Sequence, residues 1–63
     1  MTELENLQKK LDANIARHSD VLSQGGCKDF GEYQRVCGVI YGLGIALREI
    51  EDLRLKLERL DND

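Results

Sequence analysis

Apolar residues recur along the first third of the chain at Leu4, Leu7, Leu11, Ile15 and Leu22, with Val21 beside the last. Steps of three and four put these positions on one face of a helix. Thr2 followed by Glu5 fits a capping box, in which a hydroxyl and a carboxylate occupy backbone donors that the first helical turn leaves free. Asn14 and His18 interrupt a strict heptad, which suits an ordinary one-sided helix better than a long zipper. On the wet face, Glu5 and Lys9 are spaced as an i,i+4 ion pair.

The pattern stops at Ser23-Gln24-Gly25-Gly26. Paired glycines accept left-handed backbone angles without steric cost and so suit a helix C-cap. Asp29 and Glu32 then repeat the capping logic for a second start. The prediction is a single unit over residues 1–63: a helix over about 3–22, a Gly-rich turn over 23–28 and a helix over about 30–60. A connection of about six residues returns a helix antiparallel to its predecessor. The expected fold is therefore all-α, an antiparallel two-helix hairpin with the longer helix second.

The second helix carries a cleaner heptad. Val36, Leu43, Ile50 and Leu57 share one register position, and Val39, Ala46, Leu53 and Leu60 share the other. Four apolar heptads in a row meet the usual criterion for a coiled coil. Ile40 and Leu47 widen the stripe where the first helix would lie against it. At about 1.5 Å per residue the second helix is roughly 45 Å long and the first roughly 30 Å, so Leu53, Leu57 and Leu60 reach past or beside the first helix's start.

Around the rest of that helix, Phe30, Cys37, Tyr41 and Leu55 fall away from the heptad stripe, Gly44 falls among them, and Ile45 falls nearly opposite. A helix apolar nearly all round is buried on more than one side. Gly38, Gly42 and Gly44 each cost about 1 kcal/mol against Ala in a helix interior, a cost that close approach of another helix would offset. The expected interface is Tyr33, Cys37, Gly38, Tyr41, Gly42, Leu43, Ile45, Leu53 and Leu57, through which the hairpin assembles as a bundle or docks on a larger protein.

Composition narrows the classes further. The chain has 63 residues, no Pro, no Trp and a net charge of −3, with 41% hydrophobic and 33% charged residues. At this size folding hides only about 60% of the unfolded chain's surface, too little to build an enclosed pocket as well as a core. No enzymatic role is expected. The acidic balance and the lack of a basic stripe argue against a nucleic-acid partner, even with Tyr33, Tyr41 and Arg35 available for stacking. The longest uncharged run spans residues 36–47, short of the roughly 20 residues that a membrane helix needs. The acidic start lacks the basic and apolar regions of a secretory signal.

Cys27 and Cys37 lie ten residues apart, roughly 12 Å or more along a helix axis, whereas a disulfide needs Cα atoms within about 7 Å. Reduced thiols are expected, with Cys37 packing as a small hydrophobe. His18 and the two cysteines show no metal-ligand spacing, and neither metal nor cofactor is expected. Arg48, Arg54, Lys56 and Arg59 interleave with Glu49, Glu51, Asp52 and Glu58, the sign alternation of a solvated face; Asp52–Lys56 and Glu51–Arg54 are its favourable pairs.

The run Asp29, Glu32-Tyr33 and Arg35, then Gly38, Gly42-Leu43, then the Ile- and Leu-rich stretch ending in Asp61-Asn62-Asp63, resembles short helical proteins of tailed bacteriophages found among virion-assembly genes. The likeness covers about residues 25–63. It implies a minor virion component, on the capsid or at the head–tail junction, whose partners are itself or a larger virion protein. It transfers no catalytic residue. The competing reading is a small regulator that binds and inhibits a host or phage enzyme.

Overall fold

The computed structural model describes residues 2–62; the side chains of Asp61 and Asn62 lie outside the description. Two helices, α1 (Glu3–Ser23) and α2 (Phe30–Asn62), pack as an antiparallel hairpin, and no strand occurs among the described residues. The all-α hairpin with a longer C-terminal helix is therefore the observed architecture.

Each helix end has a local cause. Thr2 sits in extended backbone (φ −79°, ψ 163°) and its Oγ1 accepts the Glu5 N–H at 3.1 Å. The Glu5 carboxylate takes the Thr2 hydroxyl at 3.2 Å. At the other end of α1, the Gly26 N–H donates to the Val21 carbonyl (2.8 Å) and the Gly25 N–H to the Leu22 carbonyl (3.2 Å), while Gly25 takes φ +68°. This is the Schellman arrangement, whose left-handed residue tolerates a Cβ poorly. Gly25→Ala is expected to lower stability by about 1 kcal/mol, read as a reduced urea midpoint at unchanged m-value. A Cβ on Gly26 would approach both Val21 Cγ1 and the Val21 carbonyl oxygen at 3.1 Å, so the second glycine answers a close approach. Asp29 caps α2, its carboxylate accepting the Glu32 N–H at 2.8 Å, and the Glu32 carboxylate accepts the Lys28 N–H at 3.1 Å.

The seam between the helices departs from the expected stripes. On α1 the inward residues are Leu4, Gln8, Leu11, Ile15, His18, Ser19 and Leu22, all half-buried, while Leu7 is 42% exposed. Leu7 and Val21 stand about 40–80° round the helix from the Leu11 direction, on one flank. On α2 the residues meeting α1 follow Val36, Ile40, Leu43, Leu47, Ile50 and Arg54. That seam shares Val36, Leu43 and Ile50 with the expected heptad but continues through Ile40 and Leu47, leaving Leu53 and Leu57 out of it. Val36, at 4% exposure, is the one buried hydrophobic side chain among the described residues. Val36→Ala is expected to cost about 2 kcal/mol, measured by chemical denaturation.

Such a hairpin is thinly covered. It measures 52 × 18 × 13 Å with a radius of gyration of 15.1 Å, against about 11 Å for a compact chain of this length. It exposes 5018 Å2, where a compact monomer of 7.2 kDa would expose about 4,100 Å2.

Candidate interaction surface

The two long sides of the hairpin differ in chemistry. On one side an open groove of about 710 Å3 runs between Glu5, Lys9 and Asp12 of α1 and Arg48, Glu51 and Arg54 of α2, with Gly44 and Leu47 between them. Gly44 thus lies beside α1, not on the far side of α2 where residue counting had put it. Three acids and three bases face this groove, so its net charge is zero and it has no preference for an ion of either sign. Arg54 ends the apolar seam: its guanidinium meets the Glu58 carboxylate at 2.7 Å and Glu51 at 4.0 Å. Its Nε is buried with no hydrogen-bond partner. The expected pairs Glu5–Lys9 and Asp52–Lys56 do not form, since among the described residues the ion pairs belong to Arg54. Both pairs lie on exposed helix surface, where such contacts are worth only a few tenths of a kcal/mol.

The opposite flank follows from helix geometry once the groove is placed. Turning away from the groove on α1 brings Leu7, Asn14 and Val21 into a row. Turning the same way on α2 brings Val39 and Ala46, both half-buried at the edge of the seam, and the exposed Leu53, Leu57 and Leu60 into another. Leu7, Val21, Leu53, Leu57 and Leu60 are 42, 39, 46, 44 and 61% exposed. Glu5 shares its groove with Glu51 and Arg54, so beyond about residue 57 the α2 helix runs past the start of α1 and Leu60 has no α1 turn beside it. Asn14 punctuates the row on α1, held by its own helix: its Nδ2 donates to the Lys10 carbonyl at 3.0 Å and Arg17 Nη2 donates to its Oδ1 at 2.6 Å.

A third surface is the back of α2. Tyr41 is 73% and Ile45 45% exposed there, beside Gly38 and Gly42. Nothing lies within 4 Å of a Cβ built on Gly38, Gly42 or Gly44, so no element of the hairpin uses the space these glycines leave.

The nine expected interface residues are therefore not one patch. Leu53 and Leu57 share the apolar flank, while Gly38, Tyr41, Gly42 and Ile45 share the back of α2. Leu43 lies in the seam with α1. Tyr33 and Cys37 lie one turn apart near the hairpin's closed end, Tyr33 47% exposed and Cys37 half-buried. Leu7 and Val21 were missed as surface residues, because the pattern of α1 read alone drew them into its inward stripe. Gln8 was the signal to the contrary: it completes the steps Leu4, Gln8, Leu11, Ile15 that match the seam of α2.

The titratable and nucleophilic groups are dispersed. His18 Nδ1 lies 2.7 Å from the Asn14 carbonyl, a geometry that requires Nδ1 to donate, and this occupies the ring within its own helix. Cys27 and Cys37 are half-buried free thiols. The neighbouring Cys37 thiol, one helical turn away, raises the Tyr33 phenol above its ordinary value of 10.0. Cys37→Ala is expected to bring Tyr33 ionisation back toward the ordinary value, followed by absorbance at alkaline pH. Among the described residues no three His, Cys, Asp or Glu side chains gather to hold a metal ion, and no helix is long and apolar enough to cross a membrane. No family model matches the chain, and no curated protein or solved structure is significantly similar to it.

Proposed function

We propose that this protein is a non-enzymatic assembly component that works by helix–helix packing, the hairpin being one part of a larger helical structure. One observation carries the reading: among the described residues only Val36 is a buried hydrophobic side chain, while Leu7, Val21, Leu53, Leu57 and Leu60 are exposed along one flank. Monomeric soluble proteins rarely leave a cluster such as Leu7, Leu53, Leu57 and Leu60 uncovered at one end of a helical pair. Its likeness to small helical phage proteins supports a place in a virion, near the capsid or the head–tail junction, as the setting of that assembly.

Multi-angle light scattering across a concentration series tests the packing role. The expected result is a mass above 7.2 kDa that falls on dilution. A folded monomer at every concentration, with helicity intact, overturns self-assembly. Mass spectrometry of purified particles tests the setting: recovery at a fixed ratio to the coat protein supports it, and absence from the particle removes it.

A further inference from the structure

We infer that the flank bearing Leu7, Leu53, Leu57 and Leu60 is the seat of a second copy of this chain, with the two α2 helices antiparallel about a two-fold axis near residues 51 and 52. This rests on the assembly reading above and adds the partner, the face and the direction to it.

The area identifies the kind of occupant. The hairpin exposes about 900 Å2 more than a compact chain of its mass, 5018 against about 4,100 Å2. A stable two-protein interface removes about 800 Å2 from each partner. One further copy laid along one flank would remove an area of that size from each chain. A C2 pair is self-complementary, so a single apolar flank is sufficient.

Side-chain size and charge give the direction. With α2 helices antiparallel and centred between residues 51 and 52, the heptad positions meet as Ile50 with Leu53 of the partner subunit, Ala46 with Leu57 of the partner subunit, and Leu43 with Leu60 of the partner subunit, each repeated by symmetry; Leu43 and Ile50, half-buried at the edge of the seam with α1, contribute only the surface that α1 leaves open. The smallest residue of the stripe thereby faces a leucine, and every layer is apolar. A parallel pair would set Ala46 against its own copy and leave a thin layer. The flanking positions agree. In the antiparallel register Glu49 lies beside the partner's Lys56, twice over. Neither residue has an ion-pair partner among the described residues. In a parallel pair Glu49 would have no such partner, because the residue of opposite charge at the required spacing, Arg54, faces the groove beside α1. Charges at such a rim choose orientation more than they add affinity. Leu7, at the level of Glu51 along the hairpin, falls near the two-fold axis and broadens the patch at its centre.

Nitroxide labels on otherwise cysteine-free chains (Cys27→Ser, Cys37→Ser) read the direction. In the antiparallel pair, labels at Asp52→Cys differ along the axis by about 2 Å, whereas labels at Arg59→Cys differ by about 22 Å. The expected result is a clearly longer electron–electron distance at position 59 than at 52. Equal distances mean a parallel pair and overturn the inference. Absence of coupling while light scattering still reports an oligomer also overturns it, leaving the assembly reading intact; absence of coupling from a scattering monomer overturns both. A second measurement keeps the native cysteines, should their replacement unfold the chain. Glu49→Lys alone and Lys56→Glu alone are each expected to weaken dimerisation by roughly tenfold, and the double exchange to restore it to within about threefold. Equal affinities for all four chains refute the antiparallel register.

Discussion

Replacing Leu53 and Leu57 together by Asp is expected to convert the assembled protein into single hairpins, raising the dissociation constant by at least about a thousandfold. Each leucine buried in an interface contributes about 1.5–3 kcal/mol, and the two-fold repeats both of them. An aspartate in the same place adds the cost of removing a carboxylate from water without a partner. The hairpin itself should tolerate the change, because these side chains are 46 and 44% exposed and stand outside the seam formed by Val36, Ile40, Leu43, Leu47 and Ile50. Sedimentation equilibrium gives the mass, and circular dichroism at a concentration where the parent chain is monomeric gives the fold. A double variant that still associates like the parent would move the interface off this flank. One that loses its helices even as a monomer would show that the two leucines support the hairpin from within.

The second large effect runs in the stabilising direction. Gly38→Ala, Gly42→Ala and Gly44→Ala combined are expected to raise the stability of the hairpin by about 2–3 kcal/mol, since each Gly-to-Ala change in a helix interior gains up to about 1 kcal/mol. Beyond the helix's own neighbouring residues and backbone, no atom lies within 4 Å of the Cβ that each substitution would add, so the propensity gain meets no clash inside the chain. Denaturant unfolding at fixed concentration reads the gain, and light scattering on the same samples reads assembly. With the second copy seated on the leucine flank, the chain carrying Gly38→Ala and Gly44→Ala should associate as the parent does; Gly42 shares the register position of Glu49 and Lys56 and lies at the rim of that pair. Loss of association would instead place another helix's backbone against the glycines, on the back of α2 beside Tyr41 and Ile45. That outcome would favour the packing that glycine spacing alone had suggested.

Much of the fold was legible in the sequence because its punctuation is local. Thr2 with Glu5, Asp29 with Glu32, and the Gly25-Gly26 pair each satisfy backbone groups within a few residues, so their chemistry needs no tertiary context. The direction of α2 around its own axis was a different matter. Two apolar stripes overlap on that helix, one through Val39, Ala46, Leu53 and Leu57, the other through Ile40 and Leu47, and both include Val36, Leu43 and Ile50. Periodicity alone cannot rank them, since a helix apolar on most of its circumference has no unique inward face. The choice falls to α1, whose Leu4, Gln8, Leu11 and Ile15 step in phase with the Ile40–Leu47 stripe. Leu7 pulled the reading of α1 the wrong way because hydrophobicity was counted before register. The stripe left over is the one with the exposed leucines, and it became visible only when the partner of the first stripe was known. Gly44 illustrates the same limit: one turn of phase decides whether it faces solvent or the charged groove beside α1.

The charged groove also shows why sign alternation along α2 says little about a ligand. Arg48, Glu51 and Arg54 meet Glu5, Lys9 and Asp12 across it. Opposite charges at this spacing on a wet surface exchange partners at little cost. Their role in the hairpin is to keep one flank solvated while the other stays apolar.

Thermal unfolding followed by circular dichroism, from about 1 μM to about 1 mM protein, tests the central claim most directly: that α2 is held by a second chain as well as by α1. Association that stabilises the folded form makes the melting temperature depend on concentration. The expected result is a midpoint that climbs steadily across the series in the native sequence and stays level in the Leu53→Asp, Leu57→Asp chain. A native midpoint that does not move with concentration, at undiminished helicity, would contradict it.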